Sequence, residues 1–139
     1  MVKNASNKRQ SAYLFVYGTL KKNAKGSFAK YFKKKAKFIK KTHWNGRLYL
    51  IDYYPGAVPT NNNFYKIKGE LWKVKRSLLV KIDEYEECND NILVYNEYKR
   101  IIQKFQTGKK IYYAWIYIYL KNTSNFKEIK NGNFKNNLL

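Results

Sequence analysis

Apolar and polar positions along this chain fall into short runs separated by turn residues. Tyr13 to Tyr17 is an unbroken β-favouring run that stops at Gly18, and Lys21 and Lys22 then return the chain to water. That pattern predicts a buried strand running into a tight turn. A short helix is expected from Ser27, with Ser27 as its cap, Phe28, Tyr31 and Phe32 as its buried stripe and lysine on its other face. Arg47 to Ile51 reads as a strand. Asp52 to Asn63 reads as a loop punctuated by Pro55-Gly56 and Pro59, with Asn61-Asn-Asn63 at its exposed tip. Lys66 to Val74 alternates as a strand does, with Trp72 and Val74 on one face and Leu71 on the other. Ser77 is placed to cap a second helix running from about Leu78 to Glu86, followed by a loop over Cys88 to Asn91. Val94 to Gln106 and Lys109 to Leu120 read as two strands of a hairpin joined at Thr107-Gly108. The second is apolar on both faces, which predicts a central strand with Trp115 buried. From Lys121 the chain is rich in Asn and Lys, with Phe126, Ile129 and Phe134 as its anchors.

Residues 1–11 read as a disordered lead-in and 12–139 as one domain, α+β with strands dominant. Hydrophobic content of 45% sets the chain apart from disordered sequences. No apolar run reaches the length of a membrane span, and the polar start is unlike a signal peptide. The single cysteine, Cys88, excludes an internal disulfide and any zinc site built from several cysteines. A cytoplasmic location is the resulting expectation.

Charge complicates this picture. The formal net charge is +20, and ten lysines lie between Lys21 and Lys41 with no acid among them. Such a surface suits a nucleic acid or an anionic membrane. However, lysines outnumber arginines 25 to 4 and there are 16 asparagines, a bias that an AT-rich coding sequence also produces. Readers of nucleic acid favour Arg, whose fork makes bidentate contacts. The expectation is therefore weak, salt-sensitive polyanion binding, with no specific nucleic acid and no membrane as partner.

Two features carry candidate chemistry. A strand ending in a glycine elbow leaves successive backbone N–H groups facing one way, and the loop Tyr17, Gly18, Thr19, Leu20 is either such an anion-binding nest or an ordinary turn. Five of the nine acids lie between Asp83 and Asp90. At about 100° per residue, Leu78, Leu79, Ile82 and Tyr85 define an apolar arc on the second helix. Glu86 falls inside that arc, while Asp83, Glu84 and Glu87 fall outside it and face water. A carboxylate on an apolar face has a raised pKa, which suits a general acid/base, unless Glu86 solvates at the helix end or pairs with Arg100. His43, the only histidine, has no nucleophile to serve, and acidic neighbours disfavour a Cys88 thiolate.

Four segments, taken in order, resemble the gamma-glutamylcyclotransferase-like family. They are Phe15-Val-Tyr-Gly-Thr-Leu20; Tyr54-Pro-Gly-Ala-Val-Pro59 with Gly69-Glu-Leu-Trp72; Ile82-Asp-Glu-Tyr-Glu86 with Tyr98-Lys-Arg100; and Ala114-Trp-Ile-Tyr-Ile-Tyr119. The resemblance implies a small mixed, closed barrel-like sheet flanked by short helices. It implies cyclisation of a small-molecule γ-glutamyl substrate to 5-oxoproline, with no cofactor and no metal. Glu86 holds the position of the family's catalytic Glu, and Glu97 is the alternative. The Tyr17–Leu20 nest would grip the substrate α-carboxylate, Pro55 and Gly56 would shape the pocket rim, Arg100 would hold the carboxylate loop or touch substrate, and Tyr119 would steady the oxyanion. The insert over Asn61 to Lys68 and the lysine-rich helix and tail depart from the family pattern, so the leaving amine stays open, as does oligomeric state. Two other readings compete. One is a basic nucleic-acid-binding module, and the other is an inactive domain that binds γ-glutamyl compounds without turning them over.

Overall fold

The computed structural model describes residues 11–21, 24–85 and 97–135. Along them run β1 (Ser11–Val16), α1 (Ser27–Lys35), β2 (Lys37–Leu50), β3 (Pro55–Pro59), β4 (Lys66–Lys75), α2 (Arg76–Tyr85), β5 (Tyr98–Thr107), β6 (Lys110–Tyr119) and β7 (Lys127–Glu128). All the strands join one sheet in the order β3-β2-β4-β1-β6-β5, with β7 beside β2. β1 pairs antiparallel with β4 and parallel with β6, so the sheet is mixed. The result is the α+β architecture implied by the resemblance, a curled half-barrel with two short helices.

Tyrosine hydroxyls draw the curl together. Tyr98 Oη donates to the Pro55 carbonyl at 2.7 Å. Tyr17 Oη donates to the Tyr117 carbonyl at 2.6 Å and accepts the Ala57 N–H at 3.3 Å. The edge strand β3 is thereby fastened to β1, β5 and β6. Alternation along β1 divides the core in two. Leu14 and Val16 join Trp72, Val74 and the helix residues Phe32, Leu78, Leu79 and Ile82. Phe15 and Tyr17 join Leu48, Ile67, Leu71, Ile116 and the tail residue Phe134. No helix of the described residues is long and apolar enough to cross a membrane.

Several elements differ from the sequence pattern. β2 begins at Lys37, not Arg47, and pairs with β4 from Lys37 opposite Lys73 to Asn45 opposite Lys66. Its register shifts between Phe38 and Lys40, and that bulge breaks the alternation by which a strand is read. The expected loop over 52–63 contains β3, whose prolines are tolerated because the strand is at the sheet edge. Neither serine caps its helix. Gly26 occupies the cap position of α1 with no side-chain hydrogen bond, and Ser77 lies inside α2. Within α1 the buried residues are Ala29 and Phe32, while Phe28 and Tyr31 are half-buried.

The hairpin turn falls where expected, with Gly108 at φ 63° and Thr107 opposite Lys110; its first strand runs from Tyr98, and residues 94–96 of the expected strand lie outside the described residues. β6 is central, between β1 and β5. However, Ile111 and Tyr113 are exposed and Trp115 is half-buried. The expectation of a strand buried on both faces is corrected here: the helices pack chiefly on β4 and β2, leaving the first half of β6 open on one side.

Candidate active site

The strand β1 ends beside β3. A Cβ on Gly18 would stand 2.7 Å from Pro55 Cγ, so the chain needs glycine here for the close approach of the proline ring. A left-handed backbone is not the reason, since among the described residues the glycines with positive φ are Gly108 and Gly132. The following turn is closed by the Lys21 N–H, which donates to the Gly18 carbonyl at 3.1 Å. Between this loop and β3 lies a cavity of about 30 Å³, walled by Tyr17 to Leu20, Tyr54, Pro55 and Tyr117. That is room for a carboxylate group or a pair of waters.

Two carboxylates stand behind this cavity, each reached through a tyrosine of its wall. Tyr54 Oη donates to Glu97 Oε1 at 2.7 Å. Burial, that hydrogen bond and the charge of Glu97 together push the Tyr54 phenol well above its ordinary value. Tyr117 Oη donates to Asp83 Oδ1 at 2.6 Å. Arg100 forks onto the same carboxylate, Nε to Oδ1 at 2.8 Å and Nη2 to Oδ2 at 2.9 Å. Its guanidinium also lies over the Trp115 ring, 4.3 Å from the centroid.

Tyr17, Gly18, Thr19, Leu20 and Pro55 are thus brought together around one cavity. The Tyr17 hydroxyl is occupied on both sides, so that residue can meet a ligand only through its backbone. Gly56 lies beyond Pro55, where a Cβ would come within 2.9 Å of Tyr119 Cβ. Tyr119 is buried and does not line the cavity; burial and the charge of Glu97 raise its phenol above the ordinary value. Arg100 does not line it either. Asp83 corrects the helical-wheel reading: it faces Arg100 and Tyr117 rather than water, whereas Glu84 is exposed. Glu86, Glu87, Cys88 and Asp90 lie outside the described residues, as does the side chain of Tyr85. Sequence reasoning missed Tyr54, Tyr117 and Asp83 as parts of this arrangement. Tyr54 was signalled by its place before Pro55, but nothing in the strand pattern sets Tyr117 apart from the other tyrosines of β6.

A curled mixed half-barrel with a small cavity where its first strand runs into a glycine turn defines a gamma-glutamylcyclotransferase-like domain. The chain belongs to the family described as gamma-glutamyl cyclotransferase, AIG2-like, whose model matches residues 14–136. It is 28% identical over 90 residues to the gamma-glutamylcyclotransferase family protein YtfP of Escherichia coli (strain K12), covering 65% of this chain and 68% of that one. The solution structure of the Escherichia coli ytfP protein superposes with a TM-score of 0.63 at 27% identity, over 88% of this chain and 95% of that one. The crystal structure of an AIG2-like protein from Mus musculus gives a TM-score of 0.73 at 17% identity, over 91% of this chain and 89% of that one, a likeness of fold alone. The crystal structure of YkqA from Bacillus subtilis gives a TM-score of 0.67 at 23% identity over 89% of this chain, which spans only 39% of that protein.

Proposed function

We propose that this protein converts a γ-glutamyl amine or peptide to 5-oxoproline and the free amine, in the cytoplasm and with no cofactor. One observation carries the reading: the loop that the family resemblance ties to the γ-glutamyl end is itself the wall of a carboxylate-sized cavity. Backbone N–H groups of the Gly18 to Leu20 turn hold the α-carboxylate there. The substrate's α-amine then attacks its own side-chain carbonyl carbon. A C–N bond forms within a five-membered ring, and the C–N bond to the leaving amine breaks. Glu86 takes the proton from the attacking amine and returns it to the leaving nitrogen. Holding the glutamyl group bent supplies much of the rate. Tyr119, packed against Gly56 and not in the cavity wall, is the phenol that the resemblance assigns to steady the developing oxyanion. Glutathione, γ-glutamyl amino acids and γ-glutamyl-ε-lysine are the candidate substrates.

Parallel assays of Glu86→Gln and Glu97→Gln test the assignment of the base. Glu86→Gln is expected to lower 5-oxoproline release by about 10²-fold or more with the fold intact, as loss of a general base does. Glu97→Gln is expected to retain most activity. The reverse pattern would move the base to Glu97, which is already joined to the cavity wall through Tyr54.

A further inference from the structure

The outer face of β6 presents features that the cyclisation does not use. Tyr113 is 62% exposed, Ile102 51% and Ile111 48%. Alternation puts Ile111, Tyr113 and Trp115 on one side of β6. Ile102 stands opposite Trp115 in the ladder, and Lys104 stands opposite Tyr113. Beside them runs a groove of about 510 Å³, where Lys73 and Arg76 add positive charge and no acidic residue lines the wall among the described residues. Ser11 also lines it.

We propose that this face binds single-stranded nucleic acid without sequence preference, a role separate from the γ-glutamyl cavity. Tyr113 presents an exposed ring on which a base can stack, and about 7 Å along the same strand face the half-buried Trp115 carries the Arg100 guanidinium over its ring. Base stacking on aromatic side chains is indifferent to sequence because every base has a π-face. The cations along the groove follow the phosphates. Charge alone would bind any polyanion at any lysine-rich part of the surface. An exposed ring set among cations singles out this face and this class of polyanion.

The test is fluorescence anisotropy of the full chain with a labelled single-stranded oligonucleotide across a salt series, with no γ-glutamyl compound present. Tyr113→Ala, an exposed position that leaves the fold intact, is expected to weaken binding about tenfold at every salt concentration with the salt slope unchanged. Paired Lys73→Ala and Lys104→Ala is expected to weaken binding and flatten the slope. Paired Lys127→Ala and Lys130→Ala, in and beside β7, is expected to matter little. The proposal is overturned if Tyr113→Ala binds as the wild type does, if the β7 pair loses as much as the groove pair, or if the protein binds anionic vesicles but not the oligonucleotide.

Discussion

The Tyr17 side chain shows how a motif residue can serve the site indirectly. Its hydroxyl bridges the Tyr117 carbonyl and the Ala57 N–H, fastening β3 over the cavity loop. Tyr17→Phe leaves both backbone groups buried without that partner, so a loss of about 1–3 kcal/mol is expected in the denaturant midpoint. A change of only a few tenths would mean that the bridge is not what holds β3. Tyr54 belongs to the same scale, through pH. Its phenol titrates in the folded protein above its ordinary 10.0, because of burial and then the bond and charge from Glu97. The folded chain therefore keeps a proton that the unfolded chain sheds. The stability tied to Tyr54 is fully present below pH 10.0 and is lost as pH rises beyond it. Tyr54→Phe is expected to flatten part of the alkaline fall in stability, measured as the difference between the two pH profiles; parallel profiles would contradict this.

At the scale of elements, α2 is tied to the sheet by the Arg100 fork on Asp83, both side chains 21% exposed. The geometry is bidentate and partly desolvated, between the exposed and fully buried limits. A double-mutant cycle with Arg100→Ala and Asp83→Asn is expected to yield a coupling of about 1–2 kcal/mol, and a value near zero would make the pair incidental. This contact was hidden in the sequence. A helical wheel ranks positions by their angle from the apolar arc, and Asp83 falls just beyond the Leu79 edge of that arc, so it read as solvated. The strands β1 and β4 and the hairpin were legible because each is rich in β-favouring residues kept in a single register. β2 was half-legible because its bulge shifts the alternation just where lysines are densest. β3 was illegible because its prolines carry the signature of a loop, which only an edge position allows a strand to share.

For the whole molecule, the order of four motifs was enough to expect the family and its α+β half-barrel, because those motifs lie on strands that converge. The curl brings the edge strand β3 against β6 and the end of β1, and the cavity forms where they meet. The loop and the prolines of the site were readable as a turn and a rim. The tyrosine relay from the cavity to Asp83 and Glu97 was not, since it depends on distances across β3, α2, β5 and β6. The measurement that tests the central claim most directly is detection of 5-oxoproline, by NMR, from wild-type protein given γ-glutamyl compounds labelled in the glutamyl carbons. Ring-closed product appearing with the free amine in equal amount is the expected result. Unlabelled 5-oxoproline only, or labelled free glutamate in its place, would contradict an intramolecular cyclisation.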